Sequence, residues 1–262
     1  MAPDRPEGGT PEAVDVRQGQ LAPAAAERRQ AVATNLGRLR ARIAAACAAA
    51  GRDPGEVTLI AVTKTYPASD VAHLAALGVP DIGENRVQEA LPKVDDLRAA
   101  GVDVRWHHVG QLQRNKSRAV AGYASMVHSV DRLPLVAALG TAREEARAAD
   151  GVPVLDVLLQ VSLDGDTSRG GALAAELPAL ADAVAALPAL RLAGVMAVAP
   201  LSADPGAAFA ALADTAYDLR RDHPDATVVS AGMSADLEPA IACGATHVRI
   251  GSALLGARPM LG

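Results

Sequence analysis

The sequence lacks three features that would each point to a class of protein: a set of paired cysteines, a surplus of basic residues and a long apolar run. Its two cysteines, Cys47 and Cys243, lie far apart and have no metal-ligand spacing, which favours free thiols in a reducing cytosol. The formal net charge is -5, whereas a nucleic-acid surface needs a basic patch. No apolar run approaches the roughly 18 residues of a membrane-spanning helix. We therefore expect a cytoplasmic protein with no nucleic-acid or membrane partner.

The N-terminal segment also lacks what a folded or targeted segment needs. Residues 1–23 are rich in proline, glycine and charge and contain few large apolar side chains. They have no apolar core like that of a signal peptide, and their composition is typical of a disordered tail. We assign residues 1–23 to a disordered N-terminal tail and residues 24–262 to one folded domain.

The first regular pattern after this tail is helical. Residues 24–50 predict a helix that ends at Gly51. Large apolar side chains recur in it three and four positions apart, at Val32, Leu36, Leu39 and Ile43. This spacing is typical of a helix with one buried face.

Beyond this helix, short apolar segments alternate with helical ones. Eight segments have the pattern of strands, at residues 57–63, 79–82, 104–109, 126–130, 154–161, 192–199, 227–231 and 247–250. Alternating strands and helices predict parallel βαβ units, and a chain of 262 residues suits a single α/β barrel. We predict a (β/α)8 TIM barrel preceded by an N-terminal helix. The alternative is an open doubly wound sheet, which usually has a glycine-rich phosphate turn after its first strand.

Lys64 ends the first predicted strand, within VTLIAVTKTYP at residues 57–67. Side chains alternate along a strand, so Lys64 shares a face with Ile60 and Val62. The end of a packed interior disfavours an ammonium group and lowers a lysine pKa from about 10.4. A neutral amine at a pocket is the nucleophile of Schiff-base chemistry. The alternative is a strand-end lysine that extends its charge into water.

Serines follow the last two predicted strands in the same way. Ser234 in SAGMS and Ser252 in RIGSALLG each come after a glycine and open a predicted helix. Each serine suits a helix N-cap, and helix N-termini also bind phosphate. Because TIM barrels often hold phosphate between the loops after strands seven and eight, we expect a phosphate site at this pair.

Arg249 lies inside the eighth apolar strand, between Val248 and Ile250. A buried arginine needs a partner, which is either a carboxylate inside the barrel or an acceptor on a ligand, such as a ring nitrogen. A lysine, a phosphate site and an inward arginine together describe a site for pyridoxal 5'-phosphate (PLP).

At these residues the sequence resembles the pyridoxal phosphate homeostasis proteins, which share their barrel with the N-terminal domain of alanine racemase. The matching segments are AVTKTYP (61–67), IGENRVQE (82–89), WHHVGQLQRNKSR (106–118), LAGVMAV (192–198) and SAGMSADLEPAIACGATHVRIGSALLG (230–256). Together they span nearly all of the predicted domain. Two positions depart from the family pattern, which usually has an aromatic residue at His108 and often a lysine at Arg169.

The resemblance implies a role for each residue of the site. It implies that Lys64 carries PLP as a Schiff base and that Arg249 faces the ring nitrogen. The phosphate contacts implied by the family pattern are Ser234, Gly251 and Ser252. The implied lining of the ring pocket is Asn85 and Met196.

Two further features of the family pattern have no firm role. His107 lies near the ring in that pattern, and it is equally suited to be a hydrogen-bonded core histidine. A polar motif contains Gln113, Asn115 and Lys116.

The expected function is PLP binding in vitamin B6 homeostasis rather than fast amino-acid chemistry. Racemisation needs an acid/base on each face of the cofactor, and the sequence ends at Gly262 without the all-β domain that carries a tyrosine base in alanine racemase. An arginine at the ring nitrogen also makes the ring a poor electron sink. Two alternatives stay open: a low-activity PLP-dependent racemase or related enzyme, and a class I aldolase that uses Lys64 without a cofactor. We expect a monomer whose partners are PLP and, in a delivery role, apo PLP-dependent enzymes.

Overall fold

The computed structural model describes residues 12–256, with side chains from residue 25 onward. The first helix, α1, is Glu12–Ala49, and its buried side chains include all four that the apolar spacing predicted. Residues 1–11 of the predicted tail lie outside the described residues, and residues 12–23 extend α1 in the N-terminal direction. Composition alone missed this extension because Glu, Gln, Arg and Ala favour helices and are also frequent in disordered segments.

Within the described residues, eight strands follow α1, and each pairs in parallel with both of its neighbours. They are β1 Thr58–Val62, β2 Asp81–Glu84, β3 Arg105–His108, β4 Met126–Val130, β5 Leu155–Gln160, β6 Leu190–Met196, β7 Val228–Ser230 and β8 His247–Ile250. The last strand pairs with the first, with Ile60 opposite Arg249, so the sheet closes into a barrel. This closure confirms the predicted (β/α)8 architecture and rules out the open doubly wound sheet.

Helices connect the strands on the outside of the barrel. They are α2 Ala68–Ala76, α3 Val87–Ala99, α4 Ser117–Tyr123, α5 Leu133–Asp150, α6 Leu177–Ala185, α7 Pro205–Asp222, α8 Leu237–Ala242 and α9 Ser252–Leu255. Short 3-10 helices precede β1, α4 and α6, and another follows β5. In this part of the chain no helix has both the length and the apolar character needed to cross a membrane.

The two faces of each strand have different neighbours, as the alternation of side chains requires. In β1, Ala61 belongs to the apolar core beneath α1 and α2. Ile60 and Val62 point the other way and lie against Gly83 of β2 inside the barrel. β1 ends at Val62, so Lys64 lies two residues beyond the strand, in a turn, and not at the strand end that the sequence predicted.

Helix α1 is held to both sides of the seam between β1 and β8. Arg28 donates from Nε and Nη2 to the two carboxylate oxygens of Asp70 in α2, at 2.9 and 2.7 Å. Its Nη1 donates to the carbonyl of Leu255 at 2.9 Å, and Asn35 donates to the carbonyl of Leu254 at 3.1 Å. The helix thus fixes α2 and α9, which follow the two strands that close the barrel.

Candidate functional site

A cavity of about 410 Å³ opens at the carboxyl ends of the strands, within the usual size range of small-molecule sites. Six of the seven residues predicted for the site line it: Lys64, Asn85, Ser234, Arg249, Gly251 and Ser252. The other lining residues are Val62, Tyr66, Val109, Val198, Met233 and Ala235. The cavity therefore lies where active sites of this barrel architecture are found.

Lys64 stands in a tight turn directly after β1. The N–H of Tyr66 donates to the carbonyl of Thr63 at 3.0 Å, and the N–H of Thr65 donates to Glu89 Oε2 at 3.0 Å. Thr65 has a φ of 69°, a left-handed conformation that a β-branched residue rarely adopts. Such backbone strain persists only where the surroundings fix it, and it is concentrated at functional sites.

A buried ion pair on the outer side of the barrel wall supports this turn. Lys93 of α3 donates to the carbonyl of Thr63 at 2.7 Å and to Glu84 Oε1 at 2.6 Å. The hydroxyl of Thr63 donates to the same oxygen at 2.5 Å. Glu84 is fully buried, so burial raises its pKa, and Lys93 opposes that shift. Hydrogen bonds from buried side chains therefore fix the peptide of Thr63, directly before Lys64.

Two glycines let backbone segments around the cavity pack closely against each other. A Cβ atom at Gly251 would lie 3.2 Å from the carbonyl oxygen of Val62, and one at Gly110 would overlap the backbone of Asn85. Gly251 is the N-cap of α9 and Ser252 is its first residue, so Ser252 is not at the N-cap position that the sequence predicted. The first N–H groups of α9 have no acceptor inside the helix. Donors of this kind, together with the exposed hydroxyl of Ser252, suit an anion.

Ser234 lines the cavity, but it is not the N-cap that the sequence predicted. Helix α8 begins at Leu237, and the N-cap position is taken by Asp236. The Asp236 side chain makes no capping hydrogen bond to α8; its carboxylate accepts from the N–H of Met233 at 2.6 Å instead. A turn therefore separates Ser234 from the helix, and Arg42 of α1 holds the turn by donating to the Ser234 carbonyl at 2.8 Å.

Arg249 is 6% exposed and points into the barrel. Its Nη1 donates to Ser230 Oγ at 2.7 Å, and its Nη2 donates to the carbonyl of Ala197 at 2.9 Å. Burial lowers the pKa of Arg249 to about 10, so the guanidinium is still a cation at neutral pH. Both of these partners in the described part of the chain are uncharged. The sequence left a carboxylate inside the barrel as one possible partner of Arg249. Among the described residues, no carboxylate is hydrogen-bonded to Arg249.

The remaining predicted residues lie outside the cavity lining. Met196 is buried with Met126, Leu158 and Ala193 inside the barrel. His107 is a buried core histidine with both ring nitrogens hydrogen-bonded, the second of its two sequence interpretations. The polar motif lies after β3, with Gln113 and Asn115 exposed and Lys116 half-buried.

Tyr66 is a lining residue that the sequence reasoning missed. It is 4% exposed, and its hydroxyl donates to the carbonyl of Gly256 at 2.8 Å. Its position two residues after Lys64, inside AVTKTYP, is the signal that points to it. Strand alternation does not extend into a turn, so the direction of this side chain was not predictable from parity.

The charges of the lining indicate the class of ligand. Among the described residues it contains two cationic side chains, Lys64 and Arg249, and no carboxylate. The same residues include no cluster of histidine, cysteine and acidic side chains that could hold a metal ion. An amine, an arginine donor and hydroxyls beside free backbone N–H groups fit an anionic carbonyl compound with an acceptor in its ring. PLP has all three features.

Comparisons with known proteins show the family to which the chain belongs. The family model described as alanine racemase, N-terminal domain, matches residues 34–259. A pyridoxal phosphate homeostasis protein from Pseudomonas aeruginosa is 46% identical over 230 residues, which cover 87% of this chain and 96% of that protein. Its counterpart from Mycobacterium leprae is 44% identical over 233 residues, which cover 84% of this chain and 90% of that protein.

Solved structures give the same result for the fold. PipY from Synechococcus elongatus, solved with PLP bound, has a TM-score of 0.72 and 34% identity, covering 86% of this chain and all of that one. Alanine racemase from Corynebacterium glutamicum has a TM-score of 0.63 at 18% identity, covering 89% of this chain and 62% of that one, and shares the fold. The closed barrel, the composition of its cavity and these similarities lead to one conclusion: this chain belongs to the pyridoxal phosphate homeostasis protein family, with the barrel of the alanine racemase N-terminal domain.

Proposed function

We propose that this protein binds pyridoxal 5'-phosphate covalently at Lys64 and serves in the homeostasis of that cofactor. One observation carries the proposal: a buried arginine cation with uncharged partners, Arg249, lines the same carboxylate-free cavity as Lys64. The hydrogen-bond partners of Arg249 are neutral, and among the described residues only Asp236 attracts it through space; a buried cation compensated in this way alone is costly. A ligand that brings an acceptor for Arg249 and an anionic group removes that cost.

The residues of the cavity divide the binding between them. Lys64 would hold the cofactor covalently through Nζ, the amine that condensation with an aldehyde needs. Ser234, Gly251 and Ser252 hold the phosphate through hydroxyl and backbone N–H donors. Arg249 donates to the ring nitrogen. When bound, PLP supplies an aldehyde that condenses with amines and a ring that can withdraw electrons.

The geometry supports storage and delivery of the cofactor over rapid amino-acid chemistry. A racemase needs a second proton-transfer group opposite the lysine, and alanine racemase relatives suggest a tyrosine for that role. The hydroxyl of Tyr66, at the cavity, already donates to the Gly256 carbonyl. Tyr217 is exposed on α7, and Tyr123 lies at the outer face of β3 against Trp106. A monomeric state, a cytoplasmic location and the delivery of PLP to apo-enzymes stay predictions of this proposal.

Reduction with borohydride tests the covalent link. The protein is incubated with PLP, reduced, digested and mapped by mass spectrometry, with Lys64→Ala and Lys116→Ala as matched variants. We expect a phosphopyridoxyl adduct on Lys64 in the wild type and in Lys116→Ala, and its loss in Lys64→Ala. A wild-type protein that gains neither visible absorbance nor an adduct on Lys64 would refute the proposal, and it would favour a cofactor-free aldolase.

Proton exchange separates a binding protein from a racemase. Holo-protein is incubated with L-alanine and L-serine in heavy water, and the loss of the α-proton is followed by NMR. We expect exchange no faster than with free PLP. Exchange at enzyme-like rates that disappears in Lys64→Ala would establish the racemase alternative instead.

A further inference from the structure

A chain of hydrogen bonds crosses the barrel interior and ends at Arg249. Asp81 Oδ1 lies 2.9 Å from His107 Nε2, and His107 Nδ1 lies 3.0 Å from His128 Nε2. His128 Nδ1 lies 3.0 Å from Ser230 Oγ, which accepts from Arg249 Nη1 at 2.7 Å. We call these five residues the interior relay.

The relay is built from five different strands and is shielded from water. Its members come from β2, β3, β4, β7 and β8. They are all buried, and His128 and Ser230 have no exposed surface. A carboxylate forms one end of the relay, and a guanidinium forms the end at the cavity. Two imidazoles and one hydroxyl lie between them. Arg249 is thereby connected to an acid that it does not touch.

The two ends of the relay fix the direction of its protons. Arg249 only donates, and the Asp81 carboxylate only accepts. Ser230 therefore accepts from Arg249 and gives its own proton to His128 Nδ1, while His128 donates from Nε2 to His107 Nδ1 and His107 donates from Nε2 to Asp81. In the opposite direction, His107 would have to carry a proton on both ring nitrogens, so a neutral His107 excludes it. The Ser230 hydroxyl would then also accept from both Arg249 and His128, and neither contact would use its proton.

The surrounding charges agree with neutral imidazole at the centre. Burial lowers the pKa of His128 well below its usual value, and the neighbouring histidines and Arg249 act in the same direction. Burial alone would raise the pKa of Asp81, but hydrogen bonds from His107 and Arg105 hold it well below its usual range. The other titratable groups that act on the relay are Arg105, His108, His247 and Asp236.

We propose that His107, His128 and Ser230 are positioning residues for Arg249, anchored on Asp81, and that they hold its guanidinium as a donor to the ring nitrogen of bound PLP. This inference rests on the proposed function. Ser230 and Ala197 occupy one N–H on each Nη atom of Arg249, so the remaining N–H groups are left for the ligand. An acceptor held against a fixed cation stays unprotonated.

The direction of the relay is testable without any cofactor. In apo-protein labelled with ¹⁵N-histidine, long-range nitrogen–proton NMR correlations report which ring nitrogen carries the proton. We expect His128 to be neutral and protonated at Nε2, and the relay geometry requires His107 to carry its proton on Nε2, facing Asp81, and none on Nδ1. A His128 protonated at Nδ1, or at both nitrogens, would overturn the relay.

Substitutions test whether the relay positions Arg249. Ser230→Ala and His128→Leu each remove a link, and we expect the dissociation constant of PLP to rise about tenfold, as for the loss of one hydrogen bond to a charged group. The absorbance of the bound cofactor should also become pH-dependent as the ring nitrogen becomes protonatable. His128→Asn keeps an acceptor for Ser230 and should restore most of the affinity. His108→Phe, a buried histidine outside the relay, should leave both readouts unchanged.

These outcomes separate the inference from the function on which it rests. Wild-type affinity and spectra in both Ser230→Ala and His128→Leu, alongside a normal adduct on Lys64, would overturn the relay alone. Absence of the wild-type adduct would refute the proposed function, and the proton positions of the two histidines would still decide the relay. Because His128→Asn replaces a polar group with a polar group, it gives a folded variant in which the rescue can be read.

Discussion

The barrel wall carries two buried polar clusters on its opposite faces, and they are built differently. On the outer face, Glu84 and Lys93 touch directly, at 2.6 Å. On the inner face, Asp81 and Arg249 are separated by three groups that transmit hydrogen bonds. The outer pair secures backbone, since Lys93 also holds the carbonyl of Thr63. The inner relay secures one side chain at the cavity.

The difference indicates what each cluster contributes. A directly paired buried charge is sensitive to loss of its partner, because the remaining charge has nowhere to be solvated. When one neutral link of the relay is removed, Arg249 loses its fixed orientation. The charges of Arg249 and Asp81 stay in place. We therefore expect the outer cluster to act on folding stability and the inner relay to act on ligand binding and pH dependence.

Breaking the outer pair should have the largest effect. Glu84→Leu leaves the Lys93 ammonium buried without a counter-charge, and we expect a loss of about 3–5 kcal/mol in the free energy of unfolding. The double variant Glu84→Leu/Lys93→Met removes both charges and should recover most of that loss. Urea unfolding of the three proteins measures both values. A double variant no more stable than the single one would contradict this account of the pair.

The inner relay should have a smaller effect that depends on pH. The pKa of His128 is lowered in the folded state, so below its ordinary value of about 6.5 the unfolded chain binds the additional proton. Stability therefore falls as pH falls from that value towards the folded pKa. His128→Asn removes this group, and we expect its stability to fall about 2 kcal/mol less than that of the wild type between pH 7 and 5.

His108 provides a second histidine for comparison in the same experiment. Burial lowers the pKa of His108 to about 4, so His108→Phe should reduce the acid destabilisation by a similar amount. It should do so without the change in PLP affinity that we expect for the relay variants. If the free energy of unfolding changed equally with pH in the wild type and in both variants, these histidines would titrate alike in the folded and unfolded chains.

The smallest effect belongs to an exposed ion pair that joins α1 to α8. Arg42 and Glu238 are 36% and 45% exposed, and such pairs contribute about 0–1 kcal/mol. Glu238→Gln removes the pair and keeps the hydrogen bond from Arg42 to the Ser234 carbonyl. We expect a change within that range that shrinks further in high salt, measured by urea unfolding at two salt concentrations. A loss as large as that of Glu84→Leu would remove the contrast between buried and exposed pairs.

Alternation made the fold and the chief site residues predictable from the sequence. Repeated strand and helix patterns give the barrel, and parity along β8 directs Arg249 inward. Lys64 lies in the turn after β1, so its position in the cavity lining follows from that turn rather than from strand parity. The loop residues after each strand were harder to predict, because the conformation of the turn decides where their side chains point. Ser234 was wrongly given the N-cap that Asp236 takes, and Tyr66 was missed at the cavity.

Contacts across the barrel were not predictable by the same reasoning. Parity identifies His107 and His128 as inward-facing residues, but which inner residues touch depends on the stagger of the strands around the barrel. The pairing of β5 with β6 also shifts by one residue near Val157, and no sequence pattern marks that shift. The relay therefore becomes visible only once the closed barrel brings its five strands together.

The pairing of β1 with β8 has a consequence for the order in which the molecule matures. The turn that carries Lys64 is made early in synthesis, whereas Gly251 and Ser252 come from the last strand and the loop after it. A nascent chain on the ribosome has the amine but lacks the other wall of the cavity until that strand has left the exit tunnel. Capture of a small anionic aldehyde is therefore expected only once β8 has joined the barrel, and a chain stalled before β8 should leave the ligand in solution.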